Sequence, residues 1–318
     1  MFRFKEKIVR YVFIILCLTA CAAERQPGDL FGSVEEGSAL VVDGILLVDQ
    51  TLPELFVRRT LPPGQFYSQD AAGVLDAQVR VFQGDQIFDY APDPATPGRY
   101  LPPSESPQVE PLTEYRLEVE VEGKTIRAST TTPERLQVLQ AVLLDEDTEE
   151  IMRTLKSFAE VGDEVYTAPE NQLTHLEGII ELHLEKAGEA YQAALFTLEE
   201  DAQLLYEDFP EIYDRTPEDL RANQSPPFAA SDGIVRWPWF AVVYTGRSLI
   251  KVYAVDHNWF EYARSSPDQQ EQGGFGGLAG ENFERPFFQV EGGIGLFVSA
   301  SVDSVGFVVL PRPAESSD

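Results

Sequence analysis

Apolar and polar residues alternate over several short runs, and the period is two for most of the chain. Tyr115, Leu117, Val119 and Val121 alternate with Arg116, Glu118, Glu120 and Glu122, which predicts a strand with one dry and one wet face. Gly123-Lys124 then turns it into a second strand, Thr125 to Thr131. Val79, Val81 and Ile87 predict a hairpin around Gly84-Asp85. Upstream, Ala39 to Val48 reads as a buried strand interrupted at Asp43-Gly44, and Leu55 to Arg59 as another. Strands of this length with turn signals between them predict an immunoglobulin-like β-sandwich over residues 39–134, ended by Pro133.

Residues 135–312 predict a second, strand-rich α+β body with short helices. Leu136 to Leu144 reads as its first strand. Asp147 and Glu150 have the spacing of a capping box, and Ile151, Leu155, Phe158 and Ala159 form a helical stripe stopped by Gly162. Ile180, Leu182 and Leu184 alternate with Glu181, His183 and Glu185, a half-buried strand. Tyr191 to Leu198 is apolar on both faces and reads as central. Glu199 to Tyr213 reads as helical, broken near Pro210. Trp237 to Tyr244 and Leu249 to Val255 are aromatic and β-branched, the strongest strand signals. Asp256 is placed to cap a short helix running through Arg264. A polar, glycine-rich loop from Ser266 to Asn282 follows, and Phe287 to Val290, Ile294 to Ser299 and Val305 to Leu310 read as three closing strands. Residues 313–318 read as a disordered tail.

The amino-terminal end has a different grammar. Arg3, Lys5, Lys7 and Arg10 precede an apolar stretch from Tyr11 to Leu18, too short to span a bilayer. Leu18-Thr19-Ala20-Cys21 matches the lipobox of bacterial lipoproteins, so residues 1–20 are expected to be removed and Cys21 to carry lipid. Several acyl chains on one residue hold a membrane firmly where one chain does not. Residues 21–38, with Pro27, Gly28, Gly32 and Gly37, read as a flexible tether. Ala22 after the cysteine favours the outer membrane. Cys17 lies in the removed segment, so the mature chain has a single, lipidated cysteine and no disulfide is expected.

Charge narrows the partners. The chain has 24 basic and 53 acidic residues, and loss of the leader removes four basic and one acidic residue. Such a surface repels nucleic acid, and no nucleic-acid partner is expected. The acids are spread along the chain, as a solubilising surface would have them.

Candidate chemistry is sparse. Glu181, His183 and Glu185 share one strand face and are the candidates for a divalent metal site or surface enzyme, the alternative functional reading. Side chains at i and i+2 on a flat strand diverge, so a solvated face competes with it. Asp145 to Glu150 lacks the glycine of a calcium-binding loop, and Gly273-Gly274-Phe275-Gly276-Gly277 lacks the Gly-Lys-Ser/Thr of a phosphate loop. No catalytic residue and no cofactor is expected. All three tryptophans, Trp237, Trp239 and Trp259, fall within 23 residues among other aromatics, and alternation favours a core role for those on strands. A partner contact is expected in the second body, at Trp259 or Phe275.

The order of three segments resembles a family of bacterial lipoproteins known as domain of unknown function 4249. These are Leu40-Val41-Val42-Asp43-Gly44-Ile45; Pro111 through Tyr115-Arg116-Leu117 with Thr130-Thr131-Thr132-Pro133; and Gly292-Gly293-Ile294-Gly295-Leu296-Phe297. The resemblance runs from about Leu40 to Leu310. The sequence departs from the pattern in an acidic insertion read as helical, Asp145 to Gly178, and in lacking an asparagine shortly before Gly292. The resemblance implies an immunoglobulin-like front half, no assigned catalytic residues, and company with outer-membrane receptors that import nutrients.

Overall fold

Alternation along the first third of the chain becomes two facing ladders in the computed structural model, which describes residues 38–62, 65–174, 178–186, 188–205, 222–265 and 286–311. One ladder pairs β1 (Leu40–Leu47), β2 (Leu55–Arg59) and β5 (Arg99–Leu101); the other pairs β3 (Gln78–Gln83), β4 (Gln86–Pro92), β6 (Glu114–Val121) and β7 (Lys124–Thr131). β4 belongs to both, pairing β3 along most of its length and β5 at its end. Inward side chains of both ladders, among them Val42, Leu55, Val79, Tyr100, Tyr115 and Val119, form one core. The alternation read from Tyr115 to Val121 is borne out residue by residue, and the hairpin turns at Gly84-Asp85. Asp43-Gly44 does not interrupt β1. A Cβ at Gly44 would lie 2.3 Å from Leu55 Cδ2, so glycine is there to let the facing side chain in.

The second body also has two sheets. β12 (Ala190–Thr197) lies between β13 (Ala222–Gln224) and β15 (Gly246–Val255), and β15 pairs β17 (Ile294–Leu310). β8 (Gln137–Leu144), β9 (Ile151–Leu155), β11 (Ile179–Glu185) and β14 (Ile234–Trp237) form a separate four-stranded sheet in the order β14-β11-β8-β9. Leu143, Ile180, Leu182, Tyr191, Ile250 and Phe307 pack between them. β10 (Gln172–Thr174) adds to β17, and β16 (Val290–Glu291) adds to β7.

β17 joins the two bodies. Its first half pairs parallel with β1, from Val41–Ile294 to Leu47–Ala300. Its second half pairs antiparallel with β15, from Val255–Ala300 to Gly246–Val309. Phe297 therefore sits in the sandwich core, whereas Phe307 sits in the other. The stretch 39–134 does not close the sandwich by itself, since a strand from the far end of the chain completes its first ladder.

Several expected elements differ. The helix expected from Asp147 to Gly162 is a hairpin strand, β9, followed by a single helical turn, α1 (Phe158–Val161), and a 3-10 turn. Asp145 is the reason. Its Oδ1 accepts from the backbone N–H of Asp147 and Thr148 and from the Thr148 hydroxyl, which builds a tight turn instead of a helix start. The helical reach-back from an acid occurs later, where Glu160 accepts from the Ser157 N–H at 2.8 Å. Trp237 to Tyr244 is not one strand: it is β14, then Pro238, then a 3-10 turn over Trp239–Ala241. Residues 199–205 are not helical, and the rest of that expected helix lies outside the described residues. The two closing strands after Gly293 are one, because the polar residues between them bond to the backbone at the start of β8. Ser301 Oγ accepts from Leu136 N at 2.8 Å, and Asp303 Oδ2 from Val138 N at 2.7 Å.

Candidate functional site

The expected site residues scatter. Cys21, the leader, Phe275, the loop from Ser266 to Asn282 and the tail 313–318 lie outside the described residues. The others fall in two places.

The first is the wet side of β11. Glu181 and His183 do meet: His183 Nε2 lies 2.8 Å from Glu181 Oε1. His183 Nε2 forms no hydrogen bond there, so the contact is one of proximity rather than an aligned bond. Glu181 is buried, and its other oxygen accepts from Arg236 Nε at 2.7 Å. Arg236 reaches on to Glu149 Oε2 at 3.0 Å, and these carboxylates raise its already high pKa. Glu185 lies beyond a break in register after His183 and is exposed. A metal would have to displace a guanidinium from its first ligand. Among the described residues no group of three or more His, Cys, Asp or Glu is placed to hold a metal ion. Glu181, Arg236 and Glu149 thus form an ionic chain across three elements, with His183 beside it and Glu185 outside it.

The second is the seam between the bodies, at the start of helix α2 (His257–Ser265). Asp256 caps this helix as its position suggested, its Oδ1 accepting from Trp259 N at 2.9 Å. Its burial has no counterpart in the local pattern of residues. Asp256 is only 7% exposed, and its other oxygen accepts from Thr130 Oγ1 at 2.5 Å. Thr130, on β7, is also 2.6 Å from Ser299 Oγ on β17. Burial pushes the Asp256 carboxyl above the usual carboxylate range, against the pull of these hydrogen bonds and of His257. Trp259 is half-buried. It packs with Tyr253, Phe260 and Leu47 on a small cluster around Ala300, its ring 6.2 Å from that of Tyr253. Trp237 and Trp239 are core residues, as alternation favoured.

Beside this helix lies a groove the sequence reading missed. It is an open groove of about 580 Å³ lined by the outer face of β6-β7, the Phe288–Glu291 segment beside β7, and Asn258. Trp259 does not line it. The signal that could have found it was Arg116, a base among the glutamates of the wet face of β6.

No helix among the described residues is long and apolar enough to cross a membrane. A search of curated proteins finds no match. Two titin structures are similar. One, a three-immunoglobulin-domain variant, is 7% identical, with 86% of this chain and 64% of that one covered at a TM-score of 0.19. The other is 8% identical, with 86% and 97% covered at the same score. The chain thus spans about two thirds of the first. At such scores neither carries an argument, and the sandwich stands on its own strand order. The family model described as "Domain of unknown function (DUF4249)" matches residues 30–305, nearly the whole chain. The chain belongs to that family, as the three ordered segments suggested.

Proposed function

We propose that this protein is a lipid-anchored, non-catalytic accessory or binding protein of the outer membrane, acting beside a nutrient-import receptor. The observation that carries the reading is Leu18-Thr19-Ala20-Cys21 directly behind a basic and apolar leader. A thioether on Cys21 tethers the chain, and residues 22–38 give a span of polar and glycine-rich chain before β1. Two joined β-bodies with most of their buried groups in aliphatic and aromatic cores suit a rigid binding surface. The strongly acidic composition keeps such a protein off nucleic acid and anionic headgroups.

Two measurements test it. Cells fed an alkyne-tagged fatty acid should label the wild type, and Cys21→Ser should abolish labelling and release the protein from outer-membrane fractions. Affinity purification from gently solubilised membranes should then recover an outer-membrane receptor. Label on the Cys21→Ser variant defeats the anchor; repeated recovery without a receptor defeats the partnership.

A further inference from the structure

Two rows of side chains cross the outer face of the sandwich, and they differ in whether their charges are answered. Strand register sets Arg80, Glu118 and Arg127 side by side on β3, β6 and β7, and beside them Phe82, Arg116 and Ser129. In the first row each charge has an opposite charge beside it. Glu118 meets Arg80 at 2.7 Å and Arg127 at 3.2 Å, and Arg80 also meets Glu120 at 2.8 Å. In the second row the Arg116 guanidinium stands over the Phe82 ring, 5.5 Å from its centroid, and meets no carboxylate among the described residues. In a chain with 53 acids to 24 bases, an unanswered arginine on a folded strand stands out.

Arg116 opens onto the groove of about 580 Å³, a volume in the range of small-molecule sites. Arg127 lines it too. It gives only Nε to Glu118 and is 61% exposed, so its two terminal nitrogens are open. Arg116 and Arg127 are diagonal neighbours on adjacent strands, close enough for long side chains to share one ligand. Phe288, just before β16 and against the Tyr262 ring at 5.9 Å, gives the β16 side of the groove an aromatic surface. Glu291 on β16 is the register partner of Arg127, and its charge beside that arginine disfavours a second negative charge on the ligand.

We propose that this groove binds a monoanionic organic carboxylate with a flat apolar body. The carboxylate lies between the guanidinia of Arg116 and Arg127, and the apolar body rests against Phe82 and Phe288. Guanidinium forks match carboxylate geometry, and stacking on Phe82 holds the Arg116 fork in place without consuming its donors. The site does not depend on the anchor or on the receptor partnership, so its failure would leave those readings standing. An aromatic acid free in solution and the carboxy-terminal phenylalanine of a peptide offer the same chemistry.

The test uses the full chain in detergent and saturation-transfer NMR titrations with hydrocinnamate, its neutral amide, and an acetylated tripeptide ending in Phe-carboxylate. Saturable transfer to hydrocinnamate, with the amide at background, is expected; a stronger response in the peptide arm assigns the source to a peptide end. Arg116→Ala should weaken binding by about tenfold or more. Arg116→Lys should fall between, keeping charge and losing the fork. Arg135→Ala removes a remote arginine, paired with Asp49, and should change affinity by less than about twofold. No saturable binding in either arm, equal response from the amide, or an Arg135→Ala loss matching that of Arg116→Ala would each overturn the proposal.

Discussion

The two cores are held by different means. In the sandwich, directional bonds pin buried aromatic rings to loops. Tyr100, fully buried, donates to Val74 O and accepts from Ala77 N, both at 3.0 Å, and Tyr115 accepts from Glu110 N at 2.9 Å. In the second body one ring is pinned this way, Tyr191 donating to Gly188 O at 3.1 Å, while Leu, Ile, Val, two tryptophans and Phe307 fill most of the space between two sheets by shape. A bonded core fixes register locally, whereas a shape-filled core depends on segments far apart in sequence arriving together. Yet both are closed by β17, which gives Phe297 to one and Phe307 to the other. Two architectures with one shared strand should behave as one cooperative unit.

The hardest break is at Gly295. It has φ +119, and a Cβ there would sit 2.0 Å from Val42 O, a backbone atom with no room to give. Gly295→Val should part β1 from β17 and prevent native folding of both bodies, read as loss of the near-UV circular dichroism of the whole chain. If the second body kept its packing with the sandwich lost, the shared-strand account would fail.

Paired truncations sharpen the same point. Phe297→Ala and Phe307→Ala each remove a ring that is 2% or less exposed, and each should cost about 3–5 kcal/mol. Urea titrations in a Trp259→Phe background, followed by the fluorescence of Trp237 and Trp239 in the second core, should show a single transition shifted in both variants. A Phe297→Ala protein whose tryptophan transition is unmoved would mean the bodies unfold separately.

The same contrast explains what could be read in the sequence. Sandwich strands β3, β4, β6 and β7 were legible because neighbours in sequence are neighbours in the sheet, joined by Gly84-Asp85 and Glu122-Gly123. β9 was not, because Ile151, Leu155 and Phe158 fit helical spacing as well as a hairpin strand plus one turn; the decisive Asp145 turn is a matter of side-chain bonds. β17 was read as two strands because Ser301, Asp303 and Ser304 look like a loop until the backbone of residues 136–138 arrives to bond with two of them. The parallel pairing of β1 with β17 spans nearly the whole chain, beyond any local pattern. Of the candidate sites, Glu181 and His183 share a strand face as expected, but they converge to 2.8 Å instead of diverging, and Glu181 is buried because Arg236, on a strand 55 residues away, pairs with it.

A milder change probes the seam alone. Thr130→Val keeps the shape of a residue 3% exposed but removes the hydroxyl that Asp256 Oδ2 accepts from, leaving a buried carboxylate oxygen one bond short. A cost of about 1–3 kcal/mol is expected, with the single transition retained. Split transitions in this variant would locate the coupling in the Thr130–Asp256–Ser299 contact rather than in β17.

The smallest expected effect is a dependence on pH at that seam. Burial raises the Asp256 carboxyl above its unfolded value, so over the range between the two the folded chain binds the proton that the unfolded chain releases. Its contribution to stability is complete below the unfolded pKa and is lost as pH rises through the folded one. Asp49 and Asp93 work in the opposite sense, each held below the ordinary range, Asp49 chiefly by its hydrogen bonds from Arg135 and Asp93 by those from Ala95 N–H and Arg99. They occur in both proteins when the wild type is compared with Asp256→Asn, so their effects cancel in the difference. Asparagine still caps α2 through its one oxygen, and its amide N–H2 then faces Thr130 Oγ1 and donates to it where the carboxylate accepted; it has no proton to bind. At neutral pH the variant should therefore be at least as stable as the wild type in urea titrations. As pH falls through the acidic range, the wild type should gain on it and overtake it. A wild-type-minus-variant difference that stays flat, or that moves the other way on acidification, would mean that the Asp256 carboxylate keeps its ordinary affinity for a proton despite its burial between the two bodies.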